Sequence, residues 1–183
     1  MIRAIPIIVA AIQLSQPHMP KQQARRYAVV VRAEAKARSF DPLTLVAMVH
    51  HESHWHPSLV NSIGCVGLGQ ICLSNYSYCR ADMQSAKCQA KKVQLQGGVY
   101  NLRIAADHIT RNRKMCRKRT GKPALWRYWL PSYQGFNKPS RDVWCGQQRR
   151  KGKWVNLPIP RLTTRVMTHR RMLIRKLTRR RRR

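Results

Sequence analysis

The chain has 183 residues, with 37 Lys and Arg against 6 Asp and Glu, a formal charge of +31. That length suffices for one domain with a real core and short tails. Self-repulsion of that size opposes folding, which disfavours the alternative of a solvated basic surface with no particular partner. The charge implies a polyanionic neighbour such as nucleic acid, lipopolysaccharide, teichoic acid or an acidic membrane face.

The chain opens "MIRAIPIIVAAIQLSQPHMP". Arg3 precedes an apolar run, Ala4 to Leu14, that is too short to span a membrane and suits a signal-peptide core. Val9-Ala10-Ala11 offers a cleavage site, so residues 1–16 are expected to be a signal peptide; a buried N-terminal segment is the alternative. Tyr27, Val31 and Ala35 fall at helical spacing and predict a helix over Gln22 to Ser39. Asp41 suits an N-cap and Pro42 a first helical position, so a second helix is predicted from Pro42 to about His54. Asn61 to Gln70, "NSIGCVGLGQ", reads as a loop with tight turns.

Lys91 to Arg113 reads as one long helix interrupted by Gly97-Gly98, and two interior glycines cost about 1 kcal/mol each. A close helix or ligand approach would justify that cost. "RNRKMCRKRTGKP" reads as a basic connector, Ala124 to Tyr133 as a helix, and Lys138 to Pro160 as loop. Thr163 to Leu177 reads as a helix, and residues 178–183 as a disordered arginine tail. No alternating pattern argues for a substantial sheet, so the class is mainly α.

Six cysteines, Cys65, Cys72, Cys79, Cys88, Cys116 and Cys145, show no C-x-x-C spacing. An even count in a small domain fits disulfides and an oxidising compartment, although sequence leaves their pairing open. Six free thiols in a cytosolic protein is the alternative.

In "VHHESHWHP", Val49 to Pro57, four histidines surround Glu52. The H-E-x-x-H pattern of zinc proteases fails, because Trp55 stands where the second histidine belongs. His50 and His54 lie at i, i+4 and could share a metal, but positions two residues either side of Glu52 are roughly 160–200° around the helix from it. No third ligand is near in sequence, so neither a metal nor another cofactor is expected. Glu52 itself falls on the same helical face as Leu45, Met48 and Val49. Desolvation on such a face raises a glutamate's pKa, which suits a general acid; pairing with an arginine is the bland reading. Asp82, Asp107 or Asp142 could supply a second carboxylate, and nothing selects one.

"ESHWHPSLVNSIGCVGLGQ", Glu52 to Gln70, resembles the signature of the soluble lytic transglycosylase and goose-type lysozyme family. The matching features are Glu52-Ser53, Trp55, Pro57 and the loop Gly64-x-x-Gly67-Leu68-Gly69-Gln70. "QLQGGVYNL", Gln94 to Leu102, resembles the family's Gly-containing helix with Gln94 in place of Asn, and "SYQGFN", Ser132 to Asn137, its Tyr-Asn-Gly segment with Gln134 in place of Asn. Gly69 and Leu73 also depart from the common residues. The resemblance runs from about Tyr27 to Asn137.

It implies a lysozyme-like helical domain with a catalytic cleft over 22–137, followed by an extension, 138–177, packing on it. It implies cleavage of the MurNAc–GlcNAc β-1,4 bond of peptidoglycan without a cofactor, one glutamate serving as acid and then base. On that basis Glu52 is the expected catalytic residue. Ser53 would orient it or touch the glycan, Gly67, Leu68, Gly69 and Gln70 would line the cleft, and Tyr133 would hydrogen-bond Glu52 or the sugar. Trp55 would be a sugar platform or a packing residue. The expected protein is a secreted or periplasmic monomer on glycan strands, with the arginine tail on a polyanion; a virion protein associated with DNA and a non-catalytic glycan-binding module are the alternatives.

Overall fold

A computed structural model describes residues 4–120, 125–134 and 143–181. In chain order the helices are α1 (Ile5–Ser15), α2 (Lys21–Ala37), α3 (Pro42–Ser53), α4 (Ser77–Ala81), α5 (Ala86–Gln96), α6 (Gly98–Thr120), α7 (Trp126–Tyr133) and α8 (Arg161–Arg181). Short strands β1 (Cys65–Val66) and β2 (Ile71–Cys72) pair antiparallel, as do β3 (Val143–Trp144), β4 (Gln147–Arg150) and β5 (Lys153–Asn156) in the order β3-β4-β5. The protein is mainly α, as its patterning requires. No helix among the described residues is long and apolar enough to cross a membrane.

The chain forms two compact units. One comprises the described residues up to Ala106 and those from His169 onward; the other is Asp107–Thr168. The first unit is built on α1, α2 and α3. Ile8, Ala11 and Ile12 of α1 are fully buried, as are Ala28 and Val31 of α2 and Leu43, Leu45, Val46 and Ala47 of α3. Fully burying side chains of Leu and Ile size contributes about 1.5–3 kcal/mol each, so α3 is the most firmly held helix of the unit. The apolar run near the N-terminus is thus a packed helix in this structure.

Asp41 caps α3 as expected, its Oδ1 accepting from Leu43 N at 3.3 Å, with Pro42 at the first position. The same carboxylate holds α8: Arg170 Nε and Nη2 lie 2.6 and 2.5 Å from Asp41 Oδ2. In α2, Glu34 pairs with Arg38 and sits 3.8 Å from Arg103 of α6.

Four sequence expectations change. The helix expected over Lys91 to Arg113 is two helices, α5 and α6, broken at Gly97, whose ψ of 102° is extended. A side chain at Gly98 would lie 2.4 Å from the Tyr27 hydroxyl, so the glycine pair admits an aromatic ring. The expected basic connector is helical as far as Thr120, since Lys and Arg are good helix formers and α6 simply continues. The stretch read as loop contains β3, β4 and β5, joined by Cys145-Gly146 and Lys151-Gly152 turns in which all four residues have positive φ. That is the two-residue hairpin geometry matching strand twist. The arginine tail is helical through Arg181; Arg182 and Arg183 lie outside the described residues.

The six cysteines form three disulfides, Cys65–Cys72, Cys79–Cys88 and Cys116–Cys145, with none free. The first bridges the β1–β2 pair at its Cys65↔Cys72 register. The third joins α6 to the β3–β4 turn within the second unit, where Tyr128, Trp129, Leu130 and Val166 are buried.

Candidate functional site

Glu52 lies in the last turn of α3, half-buried, one residue before the end of the helix. The helix stops abruptly there. His54 takes the left-handed conformation at φ 49° and Trp55 follows at φ 66°. Two successive non-glycine residues at positive φ are costly and are held only where packing over-determines them. Here Trp55 is buried at 3% exposure and stacks on Tyr27, ring centroids 5.9 Å apart. Its indole Nε1 is buried without a hydrogen-bond partner among the described residues. At that burial Trp55 packs the turn and is no sugar platform.

Ser53 follows Glu52 and is 1% exposed. Its Oγ lies 2.9 Å from Leu68 O and 3.3 Å from Val49 O. The hydroxyl therefore ties the end of α3 to the glycine loop. The loop is held from the other side by Asn101 of α6, which is fully buried. Asn101 Oδ1 accepts from Gly69 N at 2.7 Å, and its Nδ2 donates to Val66 O and Leu95 O, each at 2.8 Å. A side chain at Gly67 (φ 77°) would lie 2.3 Å from that amide. Gly67 therefore serves both its backbone conformation and the approach of Asn101.

Gly67, Leu68 and Gly69 are buried, and Gln70 is half-exposed. Gln70 Nε2 donates to Gly67 O at 3.0 Å and Leu59 O at 3.3 Å, so this amide braces its own loop. Glu52, Ser53 and the loop from Gly67 to Gln70 all belong to the first unit. Tyr133 belongs to the second, half-exposed, with its ring edge-on to His108 at 6.4 Å. His108 lies below the usual histidine range because it is desolvated and beside Arg111, against the opposing pull of Asp107. Phe136 and Asn137 of the Tyr-containing motif lie outside the described residues.

A pocket of about 810 Å³ opens beside Tyr27, lined by Gln22, Gln23, Arg26, Tyr27, Gly98, Tyr100 and Arg103 among others. Gln23 donates to the Tyr27 hydroxyl at 2.9 Å. Lys91 donates to the Tyr100 hydroxyl at 3.0 Å, and that hydrogen bond raises the lysine's pKa. The wall facing solvent is thus amide, phenol and guanidinium, with Tyr27 shared between the pocket and the Trp55 stack.

The model of the transglycosylase SLT domain matches residues 29–154. The chain belongs to that family. The match covers α3, the glycine loop, α5, α6 and α7, and so every motif singled out in the sequence. No curated protein and no solved structure matches the chain. Membership of the SLT family brings lytic-transglycosylase-type cleavage of peptidoglycan glycan at the family level. SLT domains act on peptidoglycan outside the cytoplasm, and three disulfides fit an extracellular protein.

Sequence reasoning missed three residues that shape this SLT domain. Asn101 falls inside the family-like segment Gln94 to Leu102, but nothing in that segment gives it a role of its own. Tyr27 was assigned to a core stripe, and its place at the pocket followed from nothing local. His169 lies 118 residues or more from His50 and His51, and only the fold brings them together.

Proposed function

We propose that this SLT domain is a lytic transglycosylase whose general acid and base is Glu52. The observation that carries the reading is the anchorage of Glu52. It stands half-buried at the end of the most deeply packed helix, and the next residue, Ser53, is locked to the loop that Asn101 braces. A general acid must be held within hydrogen-bond reach of the bond it breaks, and this arrangement fixes its backbone from two sides.

In the proposed reaction the Glu52 carboxyl gives its proton to the glycosidic oxygen between MurNAc and GlcNAc. The C1–O bond breaks with its electron pair going to the departing oxygen. The carboxylate then takes the proton of the muramyl C6 hydroxyl, whose oxygen bonds to C1 and closes a 1,6-anhydro ring. No water is consumed, and Glu52 ends protonated as it began. The pocket beside Tyr27 is the proposed glycan surface, because its amide, phenol and guanidinium groups suit sugar hydroxyl and acetamide oxygens. The roles of Gln70 and Tyr133 toward the sugar rest on their motifs. The exposed Arg165, Arg171, Arg175 and Arg179 of α8 are proposed to hold the enzyme on a polyanion, the envelope or DNA, with salt-dependent affinity.

The test is digestion of purified peptidoglycan by wild type and Glu52→Gln, with products read by mass spectrometry. Anhydro-muropeptides from wild type, lowered at least about 100-fold in the variant, are expected. Reducing-end products would make the enzyme a hydrolase instead. No products from folded wild-type protein would leave a glycan-binding module. Binding of DNA or lipopolysaccharide over a salt series, by the full chain and a form ending at Leu177, tests the role of the arginines.

A further inference from the structure

Three histidines converge within the first unit, away from the glycine loop. His50 and His51 come from α3 and His169 from α8, and each ring brings one nitrogen to within 4.8 Å of the others. The His50 and His169 rings lie nearly parallel, centroids 4.1 Å apart, and His51 meets both edge-on at 5.0 and 5.5 Å. Stacked imidazoles repel if both are charged, so this packing needs neutral rings. Neutral imidazole is the form that binds metal.

The hydrogen bonds fix part of the tautomer. Ser15 Oγ donates to Ala11 O at 2.9 Å, so at 2.8 Å from His169 Nε2 it can only accept. His169 therefore carries its proton on Nε2 and a lone pair on Nδ1. Such a contact to the second nitrogen is the kind that orients metal-bound histidines. His50 Nδ1 is buried and has no partner among the described residues, a cost that a cation bound there would remove.

We propose that His50, His51 and His169 bind one divalent transition-metal ion, which clamps α8 to the helix that carries Glu52. Imidazole-only donors select zinc, copper, nickel or cobalt over magnesium or calcium. Zinc–nitrogen bonds of about 2.0–2.1 Å place tetrahedral ligand nitrogens roughly 3.4 Å apart, so on binding the nitrogens draw together and the His50 and His169 rings turn out of their stack to aim both lone pairs at one ion. Three histidines leave one position to water. Among the described residues no carboxylate joins the cluster. Protons and metal compete for the same imidazole nitrogens, so binding is lost in acid. The ligands come from α3 and α8, and Ser15 of α1 supplies the contact that orients His169.

The test is titration of chelator-treated, disulfide-intact full chain with Co²⁺ and Zn²⁺. One Co²⁺ per chain, with intense absorption bands between about 500 and 650 nm and at least three nitrogen ligands by X-ray absorption, is the expected result. His169→Ala should weaken binding tenfold or more, while His56→Ala, outside the cluster, should not change it. X-ray absorption on the wild type needs no variant and decides the matter if His169→Ala fails to fold. Binding only at millimolar metal, fewer than three nitrogen ligands, or equal losses in both variants would overturn the proposal. None of these readouts uses glycan cleavage.

Discussion

Replacing Asn101 by Ala probes the bond between α6 and the glycine loop. Its fully buried amide serves three backbone groups, Gly69 N, Val66 O and Leu95 O, at 2.7–2.8 Å. Taking a partner from a buried backbone group costs about 1–3 kcal/mol, less where water enters the space left behind. Three such losses, discounted for that water and for their coupling, give about 3–5 kcal/mol. A domain of this kind has roughly 5–15 kcal/mol in all, so the variant should fold but melt about 6–20 °C lower. Urea unfolding with disulfides intact, followed by tryptophan fluorescence and far-UV circular dichroism, measures it, coincident transitions licensing a two-state fit. Asn101→Asp keeps the acceptor for Gly69 N but sets a carboxylate against two carbonyls, and should be at least as unstable as Asn101→Ala. Glycan cleavage should fall further than the unfolded fraction explains, because the loop carrying Gln70 loses its brace. A loss below about 1 kcal/mol in Asn101→Ala would refute the assignment of Asn101 as that brace.

Gly98→Ala places a methyl group 2.4 Å from the Tyr27 hydroxyl, so Tyr27 must shift. A cost of about 1–3 kcal/mol and loss of the tryptophan fluorescence signature of the Tyr27–Trp55 stack are expected, whereas Gly152→Ala, with open space around it, should cost only its positive-φ strain. The Cys116–Cys145 bridge spans 29 residues of sequence, and its removal as the paired Cys→Ser variant should cost roughly 3–4 kcal/mol by chain-entropy reasoning, read by denaturant midpoint. His169 is pushed down to about 4, first by burial and then by His50, His51 and Lys176. A folded pKa below the unfolded value of about 6.5 means the unfolded chain takes up the proton first. The neutral ring's contribution is therefore complete above that value and lost as pH falls toward the folded pKa. Metal-free protein should lose about 1–2 kcal/mol through this residue between pH 7 and 5, and His169→Gln should remove that part of the slope.

The helices that carry the site were legible because their signals are local. Asp41-Pro42 sets the start of α3, the apolar stripe fixes its face, and the spacing from Glu52 to Gln70 carries the family signature. What was not legible depends on pairing across the chain. In the three-stranded sheet β3 is only Val143-Trp144, β4 is all Gln and Arg, and β5 is exposed throughout, so no hydrophobic alternation marks it. Its only local trace is the pair of X-Gly dipeptides at its turns. The break at Gly97 looked like a costly flaw in one helix until Tyr27, some 70 residues earlier, was seen to fill the space beside Gly98. His169 had no sequence neighbour with which to form a motif at all.

The scarcity of acids bears on the chemistry itself. Of the 6 acidic residues in the chain, Glu34 pairs with Arg38 and Arg103. Asp41 caps α3 and holds Arg170, and Asp107 pairs with Arg111 at 2.6 Å. Asp82 accepts from Gln84 N at 2.8 Å in a turn. Asp142 lies outside the described residues. A hydrolase that activates water needs a second carboxylate available to take a proton, and each described candidate already serves a cation or a backbone donor. Recruiting one would break an interaction that holds a helix or a turn. A reaction whose nucleophile is a hydroxyl of the substrate needs no such group, because the carboxylate left by the first proton transfer is the base for the second. The acid-poor composition is in this sense compatible with the single-glutamate reaction proposed above.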